Sequence, residues 1–239
     1  MRRTHKKPVA KRRDDGPLVL PFKQVGLRDV GRVGGKNASL GELRNLAGPR
    51  LRVPDGFAVT ARAYWAFVEE NGLIPAIERT LKQLRGGTLA LAAAASSIRK
   101  LILRAPVPRT LAAEITAAYK KLGTNVSVAV RSSATAEDLP AASFAGQHDS
   151  FLNVRGTRAV QRAYKRCLAS LFNDRAIVYR ERNGFPHMKV ALSVGIQRMV
   201  RSDRGAAGVM ATLDPETGFP RVVRIEGAFG LGEMWFKER

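Results

Sequence analysis

The sequence predicts an α/β (α+β) fold, because helical patterns come first along the chain and strand patterns cluster late. Several helical stretches precede residue 123, among them the alanine-rich LALAAAASSIRKLILRA, which strongly favours helix. Short apolar runs typical of strands follow, separated by turn signals such as RSDRG and DPETG. We find no internal repeat.

The first predicted element is a short strand at residues 18–20, after a basic arm. GRVGG, residues 31–35, predicts a glycine-rich turn. A helix over residues 36–47 should follow, because leucines recur at helical spacing near one face. These leucines are Leu40, Leu43 and Leu46.

Residues 57–60 predict a second short strand after the turn signal Pro54-Asp55-Gly56. Thr60 can cap the N-terminus of the next helix, which should run through residue 71 and stop at Gly72. Two or three further helices are predicted over residues 75–122.

The second half is predicted to contain most of the sheet. Strands are expected at residues 126–131 and 148–154, followed by one long or kinked helix over residues 157–182. Three later strands are expected, and EGAFGLGE should form a flexible loop. The later strands are residues 190–200, 207–212 and 221–225.

The amino-acid composition limits which classes of protein this chain can belong to. The chain has 239 residues, of which 45% are hydrophobic, so it can bury a real core. Its single cysteine, Cys167, excludes an intrachain disulfide and fits a reducing, cytoplasmic compartment. The apolar stretches are too short to span a bilayer, and no apolar segment follows the basic N-terminus, so we expect neither a membrane span nor a signal peptide.

The charge is strongly positive, with a formal net value of +21. Seven Lys or Arg stand in the first 13 residues, MRRTHKKPVAKRR, and the basic bias extends over the rest of the chain. Such a charge favours polyanions, whether nucleic acid, anionic lipid or nucleotide. The arm lacks interleaved aromatic residues for base stacking, so a solvated tail is the simpler interpretation.

VGGKNASLGEL, residues 33–43, is the first candidate anion site. Two glycines precede a predicted helix N-terminus, whose N–H groups favour anions, and Lys36 adds a positive charge there. The spacing is not that of a Walker loop, and a turn with a surface lysine would give the same pattern.

VAVRSSATAEDLPAASFAGQ, residues 128–147, is the second candidate. Arg131 follows a short apolar strand and offers a planar fork of donors suited to phosphate oxygens. Nearby hydroxyls could add donors, and SFAGQ could fold over a polyphosphate, with Gly146 giving backbone access and Ser150 a further hydroxyl. The nearby hydroxyls are those of Ser132, Ser133 and Thr135.

VALSVGIQRMVRS, residues 190–202, is the third candidate. Its strand could present Gln197 and backbone groups to a nucleobase edge, although the pattern equally fits an ordinary core strand. None of the three histidines, His5, His148 and His187, has metal-ligand spacing, and no histidine can be tied to a serine as a catalytic pair.

In this order, these segments resemble the N-terminal nucleotide-binding region of the phosphoenolpyruvate synthases (pyruvate, water dikinases). The segments include VGGKNASLGEL, VPDGFAVTARAYWAFVEENG, AVRSSATAEDLPAASFAGQHDSFLNV, ASLFNDRAIVYR, ALSVGIQRMVRSD, GVMATLDPETGF and GLGEM. The resemblance covers roughly residues 18–234. Pyruvate, phosphate dikinases and rifampicin phosphotransferases share this module.

The resemblance implies an ATP-grasp-like fold over residues 18–239, incomplete at the C-terminus, after a basic disordered arm over residues 1–17. In such enzymes ATP phosphorylates a histidine on a swivelling domain, and the phosphohistidine phosphorylates pyruvate, giving phosphoenolpyruvate, AMP and phosphate. The implied ATP-binding residues are Lys36 and Arg131 at the phosphates, Gly146 and Ser150 in the loop over the triphosphate, and Gln197, Met199 and Val200 at the adenine and hinge.

The sequence also departs from that family. It stops after GLGEM, before the strands that would supply a metal-binding acid and further ATP contacts, so we expect Mg²⁺ ligands and catalytic residues outside this chain. The phosphohistidine and pyruvate domains are absent as well. The chain should therefore bind ATP without completing the reaction, with a separate chain as the candidate partner. The alternative is a non-catalytic nucleotide- or nucleic-acid-binding protein that uses its basic arm.

Overall fold

The computed structural model describes residues 16–49, 51–135 and 149–230. The chain divides into two compact units, residues 1–198 and residues 199–239. The basic arm before Gly16 lies outside the described residues. At its end, the Thr60 hydroxyl donates a 3.0 Å hydrogen bond to the Pro17 carbonyl, and the Arg62 guanidinium donates to the Gly16 carbonyl.

The first unit is built on a five-stranded antiparallel sheet with the order β1-β2-β5-β3-β4. The central strand β5 lies between β2 and β3, so the late part of the sequence inserts between two earlier strands. The strands are β1 (Val19–Pro21), β2 (Gly56–Val59), β3 (Val128–Ala134), β4 (Ser150–Val154) and β5 (Leu192–Arg198).

Seven helices accompany this sheet in the described part of the chain. Three of them fill the stretch for which two or three helices are predicted. The helices are α1 (Val30–Leu46), α2 (Ala61–Glu70), α3 (Ile74–Arg85), α4 (Leu91–Arg104), α5 (Arg109–Leu122), α6 (Thr157–Ser170) and α7 (Asp174–Arg182). None of these described helices has the length and apolar character needed to cross a membrane.

The two faces of the sheet carry different side chains, because neighbouring residues of a strand point to opposite faces. One face packs its apolar side chains against α2 to α6 in the main core, which includes Val59, Val130 and Ile196. The other face packs against α1 and a small second core around Phe22 and Ala58. The sheet is therefore covered by helices on both faces.

The register aligns one row of residues across the α1 face of all five strands. Leu20 pairs with Ala58, Ala58 with Gly195, Gly195 with Arg131, and Arg131 with Ser150. Directly paired residues of an antiparallel sheet lie on the same face. Arg131 and Ser150 are thus brought side by side although the chain between them includes undescribed residues.

Helix α1 differs from its prediction in two ways. It begins at Val30, one residue before the predicted turn at residues 31–35, and its helical backbone is broken within that turn at Gly34, whose φ is 71° and ψ 163°. The leucine face is also wrong, since Leu43 and Leu46 are 48% and 72% exposed. The buried face consists instead of mostly small residues, because α1 lies very close to the sheet. These residues are Val33, Gly34, Gly35, Asn37, Ala38 and Gly41.

Three further predictions need correction. The helix expected over residues 157–182 is two helices, which separate at residues 171–173. Gly227 lies in a strand rather than in a flexible loop. Thr60 is the N-cap of α2 but makes no capping hydrogen bond, because its hydroxyl donates to the Pro17 carbonyl.

A polar cluster is buried where α7 meets the following chain. Arg180 is fully buried, and its Nε donates a 2.9 Å hydrogen bond to Nδ1 of His187. On its other side, His187 Nε2 lies 3.5 Å from Oε1 of Glu181. Cys167 is also fully buried, and burial raises the pKa of its thiol, as expected for a structural cysteine.

The second unit is described over residues 199–230 and contains a two-stranded antiparallel sheet, β6 (Ala206–Ala211) and β7 (Arg224–Phe229). The predicted DPETG turn is confirmed, since the carboxylate of Asp214 accepts hydrogen bonds from the Glu216 N–H and the Thr217 hydroxyl. One face of this sheet exposes large apolar side chains. They are Met210, Ile225 and Phe229.

Two glycines of α1 should respond differently to alanine. A Cβ at Gly41 would lie 2.3 Å from the Val25 carbonyl oxygen, whereas a Cβ at Gly31 meets nothing within 4 Å. Gly41→Ala should lower the free energy of unfolding by about 1–3 kcal/mol through overpacking. Gly31→Ala should leave it unchanged or raise it by up to about 1 kcal/mol. Urea unfolding of both variants checks this, and equal effects would contradict the packing of α1 against Val25.

His187 should make stability depend on pH. Burial, and then the charge of Arg180, lower its pKa below the ordinary 6.5, although Glu181 acts in the opposite direction and Arg85 contributes a further lowering. The unfolded chain therefore binds a proton more readily, so this contribution is complete above pH 6.5 and is lost as the pH falls through the folded-state pKa. The urea concentration at the midpoint of unfolding should fall as the pH is lowered from 7.5 to 5. It should fall less steeply in the His187→Asn variant than in the parent chain.

Candidate functional site

A pocket of about 240 Å³ lies where α1 crosses the sheet of the first unit. Three of the residues predicted to bind ATP line it, and they come from positions 36, 131 and 197 of the sequence. The lining residues are Phe22, Lys36, Asn37, Leu40, Ala129, Arg131, Gly195 and Gln197.

The period of the strands explains why these residues meet. Ala129 and Arg131 are alternate residues of β3, and Gly195 and Gln197 are alternate residues of β5, so all four point to the α1 face. The register pairs Ala129 with Gln197 and Arg131 with Gly195. Two adjacent strands therefore form the floor of the pocket, and Lys36 of α1 lies above it.

Arg131 is the one exposed residue of β3, whose other six residues are buried. In the described part of the chain it forms no ion pair with an acidic residue. Its cross-strand neighbours are Gly195, which has no side chain, and Ser150, which is exposed. The guanidinium thus has space around it and a hydroxyl beside it, as a phosphate contact requires.

The glycines before Lys36 allow α1 to contact β3. A Cβ at Gly34 would lie 2.3 Å from the Ser133 hydroxyl oxygen and 2.6 Å from the Ser133 carbonyl oxygen, and the φ of Gly34 is in the left-handed region. Only glycine meets both conditions without strain. In the structure the freedom of Gly34 therefore serves its contact with the sheet.

Asn37 fixes the distance between α1 and the sheet. Its Nδ2 donates 3.0 Å hydrogen bonds to the Val33 carbonyl and to the Ser193 hydroxyl. Ser193 in turn donates a 2.8 Å hydrogen bond to the Val59 carbonyl of β2. All of these groups are buried, where a lost partner costs about 1–3 kcal/mol. The network therefore holds Lys36, the residue before Asn37, over β5.

Gln197 is half-buried at the end of β5. Its Nε2 donates a 3.1 Å hydrogen bond to the Pro54 carbonyl, which fixes the amide, and the residue lines the pocket with an oxygen that can act as an acceptor. Met199 and Val200 follow Arg198 as the first residues of the second unit, and Val200 is 63% exposed. Their contact with adenine remains a prediction.

The other predicted donors are arranged differently. Ser133 is fully buried and its hydroxyl oxygen accepts from the Asn37 N–H at 3.4 Å, so it is not available to a ligand. The hydroxyls of Ser132 and Thr135 point to backbone carbonyls, those of Asp149 and Ala191.

Ser150 lies beside Arg131 but does not line the pocket. Gly146, the SFAGQ segment and His148 lie outside the described residues.

Among the described residues the pocket has no acidic lining residue, so these side chains do not form a metal site. Elsewhere in the described ranges, no group of three or more His, Cys, Asp or Glu residues could hold a metal ion.

Sequence reasoning assigned no site role to five of the eight lining residues, which are Phe22, Asn37, Leu40, Ala129 and Gly195. Asn37 gives a usable signal, because a polar residue stands between Val33 and Gly41 in a stripe of otherwise small apolar residues. Gly195 gives a weaker one, since a glycine inside an apolar strand often marks a close backbone approach. Phe22 follows β1 in a short 3₁₀ turn and gives no signal.

Comparison with known families agrees with this architecture. Residues 30–236 match the family described as pyruvate phosphate dikinase, AMP/ATP-binding domain. The chain belongs to this family. The match includes α1, β3 and β5, which contribute every lining residue of the pocket except Phe22.

Among curated members of the family, the chain is 54% identical over 220 residues to phosphoenolpyruvate synthase of Pseudomonas aeruginosa. It is 53% identical to that of Neisseria meningitidis and 52% to that of Escherichia coli. About 90% of this chain is covered in each alignment, but only 28% of each relative. The chain therefore corresponds to the N-terminal, ATP-binding part of these longer dikinase relatives.

Gly195 should be required for the contact between α1 and the sheet in this dikinase domain. A Cβ there would lie 2.2 Å from Oδ1 of Asn37, so Gly195→Ala should lower the free energy of unfolding by about 1–3 kcal/mol. Gly48→Ala is the control, because a Cβ at Gly48 meets nothing within 4 Å.

A double-mutant cycle of Gly195 and Asn37 tests the same clash. In an Asn37→Ala background the clashing oxygen is gone, so Gly195→Ala should cost less than in the parent chain. Denaturant unfolding of the four proteins of this cycle gives the coupling energy. Additive effects would contradict the contact.

Proposed function

We propose that this chain binds ATP in the pocket between α1, β3 and β5, with Lys36 and Arg131 at the phosphates and Gln197 at the adenine. One observation carries the proposal: residues 36, 131 and 197, distant in sequence, line a single pocket in an AMP/ATP-binding domain. Each has the chemistry that its role requires.

The charge of the pocket supports binding of a polyphosphate. Of the described residues, only Lys36 and Arg131 are charged members of the lining, and both are cations. Arginine offers a planar fork to two phosphate oxygens, whereas lysine acts as a compact point charge. Phosphoryl transfer depends largely on such electrostatic positioning of the phosphates.

The amide of Gln197 supports recognition of a nucleobase. Its Nε2 donates to the Pro54 carbonyl, so the side-chain oxygen can accept a hydrogen bond from an exocyclic amino group such as that of adenine. At about 240 Å³ the pocket is smaller than most small-molecule sites, so it would hold only part of the nucleotide. We assign further contacts to Gly146 and Ser150 over the triphosphate and to Met199 and Val200 beside the base.

Magnesium is part of the proposal only as the ion carried by the nucleotide. Mg²⁺ requires oxygen ligands, usually carboxylates with substrate phosphates, and the pocket lining offers no carboxylate. Its protein ligands would therefore come from elsewhere than this lining.

The reaction of the longer relatives enters only as a proposal. We infer that this chain supplies the ATP-binding part of a pyruvate, water dikinase reaction and does not complete it by itself, because it corresponds to 28% of those relatives. A chain with the phosphohistidine and pyruvate domains would be the partner. We also propose a cytoplasmic location, which fits both ATP as the substrate and the single cysteine.

Replacing Arg131 should weaken ATP binding. Hydrogen bonds to charged groups contribute about 1.5–3 kcal/mol, so Arg131→Ala should raise the dissociation constant for MgATP by about ten- to hundredfold. Isothermal titration calorimetry on the full chain measures this. Arg162→Ala is the matched control, because Arg162 is exposed on α6, away from the pocket lining.

Two results would decide against the proposal. One is the absence of saturable MgATP binding by a folded parent chain, and the other is equal binding by the Arg131→Ala and Arg162→Ala variants. Binding of nucleic acid through the basic arm remains the alternative. It concerns residues outside the described ranges, and salt-dependent RNA binding that is lost on deletion of residues 1–13 would support it.

A further inference from the structure

A second and larger cavity, of about 910 Å³, lies between α3, the end of α7 and the chain that follows α7. It shares no lining residue with the pocket at α1. We call it the α3–α7 pocket. Its lining residues are Glu78, Leu81, Lys82, Leu84, Arg85, Arg180, Glu181, Gly184, Phe185, Pro186, His187 and Met188.

Arg180 is the unusual member of this lining. Its side chain is fully buried, yet Nη1 and Nη2 find no hydrogen-bond acceptor among the described residues. Nε is held by His187 Nδ1, so the guanidinium is fixed and only its two Nη groups remain unsatisfied. An unpaired buried charge is costly, and burial lowers the pKa of Arg180 to about 10.

The described acidic residues of the pocket form no ion pair with this guanidinium. Glu181 is directed to His187 Nε2, at 3.5 Å, and Glu78 forms no ion pair among the described residues. Two exposed cations, Lys82 and Arg85, line the pocket from α3. With His187 neutral, three cations face two carboxylates, and this excess favours an anionic ligand.

The walls restrict what kind of anion fits. Five of the twelve lining residues are apolar, and no Ser, Thr or Tyr hydroxyl is among them. A phosphate group carries three or four strongly hydrated oxygens, and apolar walls without hydroxyl donors would leave some of them unsatisfied. A carboxylate has two oxygens in a plane, which match the two Nη groups of a fixed guanidinium. The apolar residues are Leu81, Leu84, Phe185, Pro186 and Met188.

We propose that the α3–α7 pocket binds a small organic carboxylate. Its two oxygens accept hydrogen bonds from Nη1 and Nη2 of Arg180, and its apolar body lies against Leu81, Phe185 and Met188. Lys82 and Arg85 attract the anion toward the pocket. His187 is a positioning residue, because it holds the guanidinium through Nε and does not touch the ligand.

The probe is benzoate, a planar carboxylate with an apolar body, and benzamide is its neutral control of the same shape. For a ligand of this size we expect a dissociation constant of about 1 mM. At about 20 mM, benzoate should raise the Tm of the full chain by several degrees, whereas benzamide should not. Inorganic phosphate at the same ionic strength should raise it less than benzoate does.

Two sets of variants locate the binding. Arg180→Lys keeps a cation but removes the fork, so it should abolish the benzoate shift. If this variant does not fold, Lys82→Ala and Arg85→Ala give the answer, because each removes an exposed charge and should weaken benzoate about two- to fivefold. Lys100→Ala, also on an exposed helix surface, is the control and should have no effect.

Several outcomes would overturn the proposal. They are equal shifts with benzoate and benzamide, a larger shift with phosphate, or unchanged benzoate affinity in both the Lys82 and the Arg85 variant. The result does not depend on the proposed ATP site, since Arg131→Ala should retain the full benzoate shift. A chain that binds benzoate but not MgATP would support the carboxylate site and refute the nucleotide site.

Discussion

Asn37 and the two glycines that flank its contacts set the geometry of the first unit. Asn37 bridges the Val33 carbonyl and the Ser193 hydroxyl, while Gly34 and Gly195 leave the space in which α1 and the sheet meet. A larger residue at either glycine would push the helix outward. Lys36 would then move with the helix, whereas Arg131 and Gln197 would stay with the strands. The pocket therefore depends on a distance that small residues and one buried amide determine.

This arrangement explains which parts of the structure could be predicted from the sequence. Elements with a strong period, such as α3, α4 and the strand that contains Arg131, were predicted, because apolar spacing reports burial directly. The end of that strand was wrong, since β3 continues three residues beyond Arg131, through two buried serines. The burial of α1 was predicted wrongly, because its buried face is made of glycine, alanine and asparagine, which carry little hydrophobic signal. Of its three leucines, the strongest signal in that stretch, Leu43 and Leu46 are exposed and only Leu40 packs against the small second core.

The site was predictable to a different degree at each residue. Arg131 was identifiable from the residues themselves, since a charge after Val-Ala-Val is unusual in a buried strand. Gln197 stands in a run that fits an ordinary core strand equally well, and the family resemblance was needed to favour a contact with a nucleobase. That Lys36, Arg131 and Gln197 line one pocket depends on strand order. β5 inserts between β2 and β3, and this long-range pairing cannot be deduced from local spacing.

Arg131 also constrains how the sheet can assemble. Of the seven residues of β3, it alone is exposed, so a slip of the strand by one position would turn its guanidinium into the apolar core and bring a buried side chain to the surface. Desolvating that charge would disfavour the slipped pairing strongly. The arginine proposed to contact phosphate would thus also act as a register marker, selecting one alignment of β3 against β5 before any ligand is present.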